Sequence, residues 1–201
     1  MTHTLLECLL AGDPALARLT RKYLLDTQTP YVTQGWIGAF LERFDPQTGR
    51  WGRGIYGPKW ISTFYTMRDL AACGREYLLR KGLMRRETDG SLILPQITRF
   101  HFPDRWHYDV LRALLYLANT CFPFDPRMTE AMDLLKDQFS RGYLLRGSAY
   151  SGLVHFPMET GRIGMMNTLR GLRVLRQYDP QLCARLLEQP LPAAVGPAIR
   201  K

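Results

Sequence analysis

No stretch of this chain approaches the roughly 18 apolar residues that a membrane-spanning helix needs. A basic region followed by a long apolar run is also missing near Met1, because Glu7 and Asp13 interrupt it. Cysteine is sparse: Cys8, Cys73, Cys121 and Cys183 form no Cys-x-x-Cys pair, and each lies in or beside an apolar helical stretch. That pattern predicts buried free thiols in a reducing compartment, and the chain reads as soluble and cytoplasmic. Charge of one sign never accumulates. The 27 Lys and Arg against 18 Asp and Glu leave +9, yet the basic residues are spread along the whole chain. The nearest cluster is Arg80-Lys81 with Arg85-Arg86, so nucleic acid is not read as a partner. Gly-x-Ser-x-Gly is absent. Gly52-Arg53-Gly54 with Gly57 spells Gly-x-Gly-x-x-Gly, but no strand precedes it and no βαβ unit surrounds it, which argues against a dinucleotide site.

What is present is a repeat. His101-Phe102-Pro103 precedes Leu111-Arg112-Ala113-Leu114, and His155-Phe156-Pro157 precedes Leu169-Arg170-Gly171-Leu172. A looser copy runs from Tyr56-Gly57-Pro58 to Met67-Arg68-Asp69-Leu70. Each copy is an aromatic loop bearing Gly or Pro that feeds a helix with Arg at a matching place. That is the pattern of a protein built of helical hairpins. At 46% hydrophobic and 22% charged, the 201 residues suit one globular domain, read as residues 1–188 followed by an irregular tail over 189–201. Pro190, Pro192 and Pro197 mark that tail.

Helix signals dominate. Thr4-x-x-Glu7 resembles a capping box. Asp13-Pro14, Asp125-Pro126 and Asp179-Pro180 each open an amphipathic run, over Pro14 to about Leu25, Pro126 to about Phe139 and Pro180 to about Glu188. The runs after the repeat loops differ: Val110, Leu111, Ala113, Leu114, Leu115 and Leu117 leave little polar surface, so that helix is buried on more than one side. Alternation of apolar and amphipathic helices implies inner and outer layers of a curved array. One short extended piece is expected at Ser91–Leu94, after the turn pair Asp89-Gly90.

These segments resemble the prenyltransferase and squalene-cyclase repeat superfamily, specifically an uncharacterised bacterial branch. The resembling pieces are Gly35-Trp36, the run from Trp51 to Thr63, Thr98 to Pro103, Arg105 to Leu114, and Asn167 to Arg170. The resemblance implies an all-α fold, an α/α-toroid-like array of helical hairpins. Two departures stand out. The Asp-x-Asp-Asp acid motif of class II terpenoid cyclases is absent, and the zinc-binding set of the protein prenyltransferases has no counterpart here. The chain is also short of hairpins, which suits an open arc better than a closed ring. An open arc exposes its inner apolar surface, and pairing with a second copy would hide it.

In the toroid that the resemblance implies, loops at one end of the inner helices surround a central cavity. The residues that gather there are Trp51, Tyr56, Lys59, Trp60, His101, Phe102, Trp106, Phe156 and Arg162 as ligand contacts, with Asp109, His107 and His155 as candidate catalytic groups. Such a lining suits an apolar small molecule with a polar or anionic end. Aromatic rings at helix starts also serve as packing between repeats. Asp109, near the start of a largely apolar helix, is the best single general-acid candidate, while a helix cap is the plainer role. The repeated histidines fit a loop-pinning role, since a metal needs a third ligand and no cysteine or carboxylate has the spacing; no cofactor is implied. Arg68, Arg112 and Arg170 fit a repeated inter-helix contact, and Lys59, Arg105 and Arg162 are better placed for an anion. Three functions follow: a binding module for an isoprenoid or other elongated apolar ligand, a terpenoid cyclase or prenyl-transfer enzyme without the usual acid motif, and a scaffold for protein partners.

Overall fold

A computed structural model describes residues 3–27, 29–30, 32–42, 44–45, 50–51, 79, 82–86, 88–103, 109–147 and 156–191. Among these the chain is all-α apart from one two-residue strand pair. Its helices are α1 (Leu5–Leu10), α2 (Pro14–Leu24), α3 (Gly35–Leu41), α4 (Val110–Asn119), α5 (Thr129–Gln138), α6 (Met165–Tyr178) and α7 (Pro180–Glu188). Strands β1 (Phe44–Asp45) and β2 (Arg50–Trp51) pair antiparallel, with Phe44 opposite Trp51. No helix of the described residues is long and apolar enough to cross a membrane.

The helices start where the capping chemistry places them. The Thr4 amide donates to the Glu7 carboxylate at 2.8 Å and the Glu7 amide to the Thr4 hydroxyl at 3.2 Å, closing the capping box of α1. Three Asp-Pro pairs cap helical runs through aspartate oxygens, accepting from Ala15 N at 2.8 Å, Arg127 N at 2.9 Å and Leu182 N at 3.1 Å. The middle run opens as a single 3-10 turn at Pro126–Met128 and closes as another at Phe139–Arg141, so its regular part is shorter than the apolar pattern alone implies. The piece at Ser91–Leu94 is extended: Ile93 N donates to Met84 O and Arg86 N to Ser91 O, around the turn at Asp89-Gly90.

α6 is the hub, packing against α2, α4 and α7, while α5 covers α4 and α1 bridges α2 to α7. The two helices that follow the His-Phe-Pro loops, α4 and α6, therefore lie side by side. Val110, Leu111, Leu114 and Leu117 of α4 meet the same core as Leu169, Leu172, Val174 and Leu175 of α6. Each such side chain contributes about 1.5–3 kcal/mol by leaving water. Gly171 stands where α4 has Ala113, and the reason is steric. A Cβ there would lie 2.7 Å from the Phe139 ring and 2.9 Å from Leu144 Cδ1.

Two expectations are corrected. Cys8 and Cys183 are buried, and burial raises both thiols, Cys183 to about 11. Cys121 is exposed. It follows the end of α4 with φ +50°, in the left-handed region, where the chain turns away from the core. Cys73 lies outside the described residues. The segment after α7 does not leave the core at once. Leu5 N donates to Gln189 O and Leu191 N to His3 O, and Leu191 is 2% exposed. The irregular tail expected from Gln189 thus begins with a docked piece, held by hydrogen bonds that composition does not reveal.

Candidate functional site

Asp109 is the N-cap of α4. Its Oδ1 accepts from Arg112 N at 2.9 Å and its Oδ2 from His101 N at 3.0 Å. His101 and Asp109 are each 3% exposed, and the imidazole Nδ1 lies 3.9 Å from Oδ2. One carboxylate thus ties the His-Phe-Pro loop to the helix it feeds. Asp13 does the same for two other elements, accepting from Ala15 N through Oδ1 and from Trp36 N, at the start of α3, through Oδ2 at 2.8 Å. Asp179 pairs its Leu182 N bond with a 2.7 Å ion pair to Lys136 of α5.

The next repeat grips the same loop from above. Arg170 of α6 places its guanidinium 4.9 Å from the centre of the Phe102 ring, and its Nη1 lies 3.5 Å from the His101 carbonyl. Arg170, one of the three repeated arginines, thus makes a carbonyl contact to a loop and not to another helix, and Arg68 lies outside the described residues.

Beside these loops lies an open cleft of about 560 Å³. One wall is Thr98–Phe100 with Gln138, whose amide donates to Thr98 O at 2.7 Å. The other wall is Leu145–Gly147 with Thr160–Arg162, joined by the Leu145–Ile163 bridge and by Arg146 N donating to Arg162 O at 3.0 Å. Gly147 has φ +78°, and a Cβ there would sit 2.1 Å from the Phe100 carbonyl oxygen, so the two walls meet at a residue that needs to be glycine. Three arginines, Arg99, Arg146 and Arg162, line the cleft, and no aspartate or glutamate is among the described lining residues. Guanidinium groups gathered without a carboxylate favour an anion.

Behind Arg146 the polar groups are shielded from solvent. Gly164, the N-cap of α6, offers no side chain, and Glu159 supplies the missing acceptor, taking Met166 N on Oε1 at 2.9 Å. Burial pushes the Glu159 carboxyl up to about 6, against the lowering effect of the Met166 amide and of the Arg146 and Arg170 charges. Arg146 Nη1 donates to the Glu159 backbone carbonyl at 2.5 Å. Asn167, fully buried, donates to Leu145 O at 3.0 Å and Arg146 O at 3.3 Å, holding that wall in place. Glu159 Oε2 and Arg146 Nε are buried without a hydrogen-bond partner among the described residues.

Of the residues expected at a ligand site, Arg162 lines the cleft. His101 is buried at the Asp109 clamp, Phe102 lies under Arg170, and Phe156 is half-buried; none of the three is among the described lining residues. Trp51 is placed in β2 by its backbone. Tyr56, Lys59, Trp60, Trp106, His107 and His155 lie outside the described residues. Asp109, the candidate acid, has a backbone N–H facing each oxygen, which is the capping arrangement. Arg99, Arg146 and Glu159 were not foreseen. Arg99 lies in the resembling piece Thr98 to Pro103 but the resemblance implies no role for it, Arg146 sits in no motif, and Glu159 becomes a cap because Gly164 leaves that place empty. No family model matches the chain, and neither does any curated protein or solved structure.

Proposed function

We propose that this is a helical-repeat binding protein that holds a small molecule by an anionic end in the cleft beside its repeat loops. Supporting the class of protein, α4 and α6, the helices that follow the two repeat loops, pack side by side. The particular reading is that the ligand is elongated and apolar, as in the prenyltransferase and squalene-cyclase repeat proteins that the sequence resembles, with its charged end at Arg99, Arg146 and Arg162. A toroid-like curvature of the array belongs to the same proposal. The observation that carries the reading is the placement of three arginines around one cleft with no carboxylate among its described lining residues.

Thermal-shift measurements with matched isoprenoid alcohols, carboxylates and diphosphates test it. Ligands that bind the folded chain alone raise its melting temperature in proportion to concentration over affinity. Stabilisation by the anionic members and not by the alcohol is the expected result. Equal response to all three, or none, removes the anionic anchor.

A further inference from the structure

Glu159 is the one carboxylate placed against the arginine cleft among the described residues of its two walls. Its neighbour Thr160 lines the cleft, its backbone carbonyl receives Arg146 Nη1, and its Oε1 receives the amide of the first turn of α6. Among the described residues Oε2 has no hydrogen-bond partner, and it is shielded from solvent. The charged groups that act on this carboxyl are Arg146 on the adjoining wall and Arg170 on α6, while Arg162 on its own segment and Arg99 on the opposite wall line the cleft. On the loop that Arg170 touches, the titratable pair is His101 with Asp109. An anion entering the cleft would meet walls that carry Arg99, Arg146 and Arg162, with the Glu159 backbone held against Arg146.

We propose that Glu159 makes anion binding in this cleft proton-linked: ionised, its negative charge beside Arg146 opposes an incoming anion, and neutral, that opposition is gone. The proposal rests on the cleft being the anion site. By reciprocity, an anion that binds better to the neutral form must draw a proton onto Glu159. Because the carboxyl titrates at about 6 in the empty cleft, this coupling operates between mildly acidic and neutral pH.

The probe is inorganic sulfate, which stays a dianion across the range, titrated into the full chain at fixed ionic strength so that screening is constant. Sulfate is expected to bind about tenfold tighter near pH 5 than near pH 7.5, within the usual span of coupling between two sites. Glu159→Gln is expected to bind with the tighter affinity throughout and to lose the pH dependence. Should that variant fold poorly, calorimetry of the wild-type chain near pH 6, in buffers of differing ionisation enthalpy, reads the same linkage as net proton uptake. A pH dependence that survives Glu159→Gln belongs to the histidines and overturns the proposal, as does the absence of proton uptake. Sulfate bound equally at every pH overturns the linkage while leaving the cleft as an anion site. Sulfate bound at no pH overturns both.

Discussion

Asp109→Ala removes two bonds at once. The first is the cap of α4, and losing such a cap costs about 0.5–2 kcal/mol. The second is the acceptor for His101 N–H. That donor lies in a residue 3% exposed, and a buried donor stripped of its partner costs about 1–3 kcal/mol. Together the loss is about 3 kcal/mol, which for a chain of this length lowers the melting temperature by roughly 6–12 °C. Asp109→Asn keeps one carbonyl acceptor and turns its amide donors toward the other N–H, so it is expected to fall between wild type and Asp109→Ala. Urea unfolding at neutral pH, followed by circular dichroism, measures both. An Asp109→Ala chain within about 0.5 kcal/mol of wild type would show that the loop is not held by this carboxylate.

Thr168→Val leaves Leu144 N–H without the hydroxyl it reaches at 2.9 Å, and a loss of about 1–3 kcal/mol is expected in the same unfolding assay. Gly147→Ala must place a side chain at φ +78°, which alone costs about 1–2 kcal/mol. It also pushes the Phe100 wall outward, so it should weaken sulfate binding as well as stability. The pH dependence of folding has a definite sign at Glu159. The folded value of about 6 lies above the ordinary 4.5, so the folded chain holds the proton more tightly than the unfolded one. Stability from this group is therefore fully present below about 4.5 and is lost as pH rises through about 6, by ~2 kcal/mol in total. Glu159→Gln should remove that slope, and unfolding curves at several pH values would detect its persistence.

The helix starts were legible because each rests on neighbours in sequence. Thr4 needs only Glu7, and Asp13, Asp125 and Asp179 need only the turn that follows them. The second partners of Asp13 and Asp179 were not legible, since Trp36 and Lys136 are brought up by the fold and not by spacing. The apolar run of α4 marked it correctly as a buried helix, because a nearly all-round apolar run has few other homes, whereas α6, with Arg170, Arg173 and Arg176, carries no such run. The repeat pointed less well to the cleft. Aromatic residues in the repeated motif drew notice, yet Phe102 spends its ring on Arg170. Of the arginines that line the cleft, Arg146 belongs to an unremarkable stretch, and its place beside Arg162 depends on how residues 144–146 pair with 162–164.

Isothermal titration of a prenyl diphosphate into wild-type chain and into the Arg99→Ser, Arg162→Ser double variant bears on the whole proposal in one comparison. Both arginines lie on exposed walls of the cleft, so folding should survive their loss. Saturable binding by the wild type, weakened at least about 30-fold in the double variant by the loss of two charge-assisted contacts of ~1 kcal/mol or more each, is the predicted result. Undiminished affinity in the double variant would place the ligand elsewhere and contradict the assignment of this cleft.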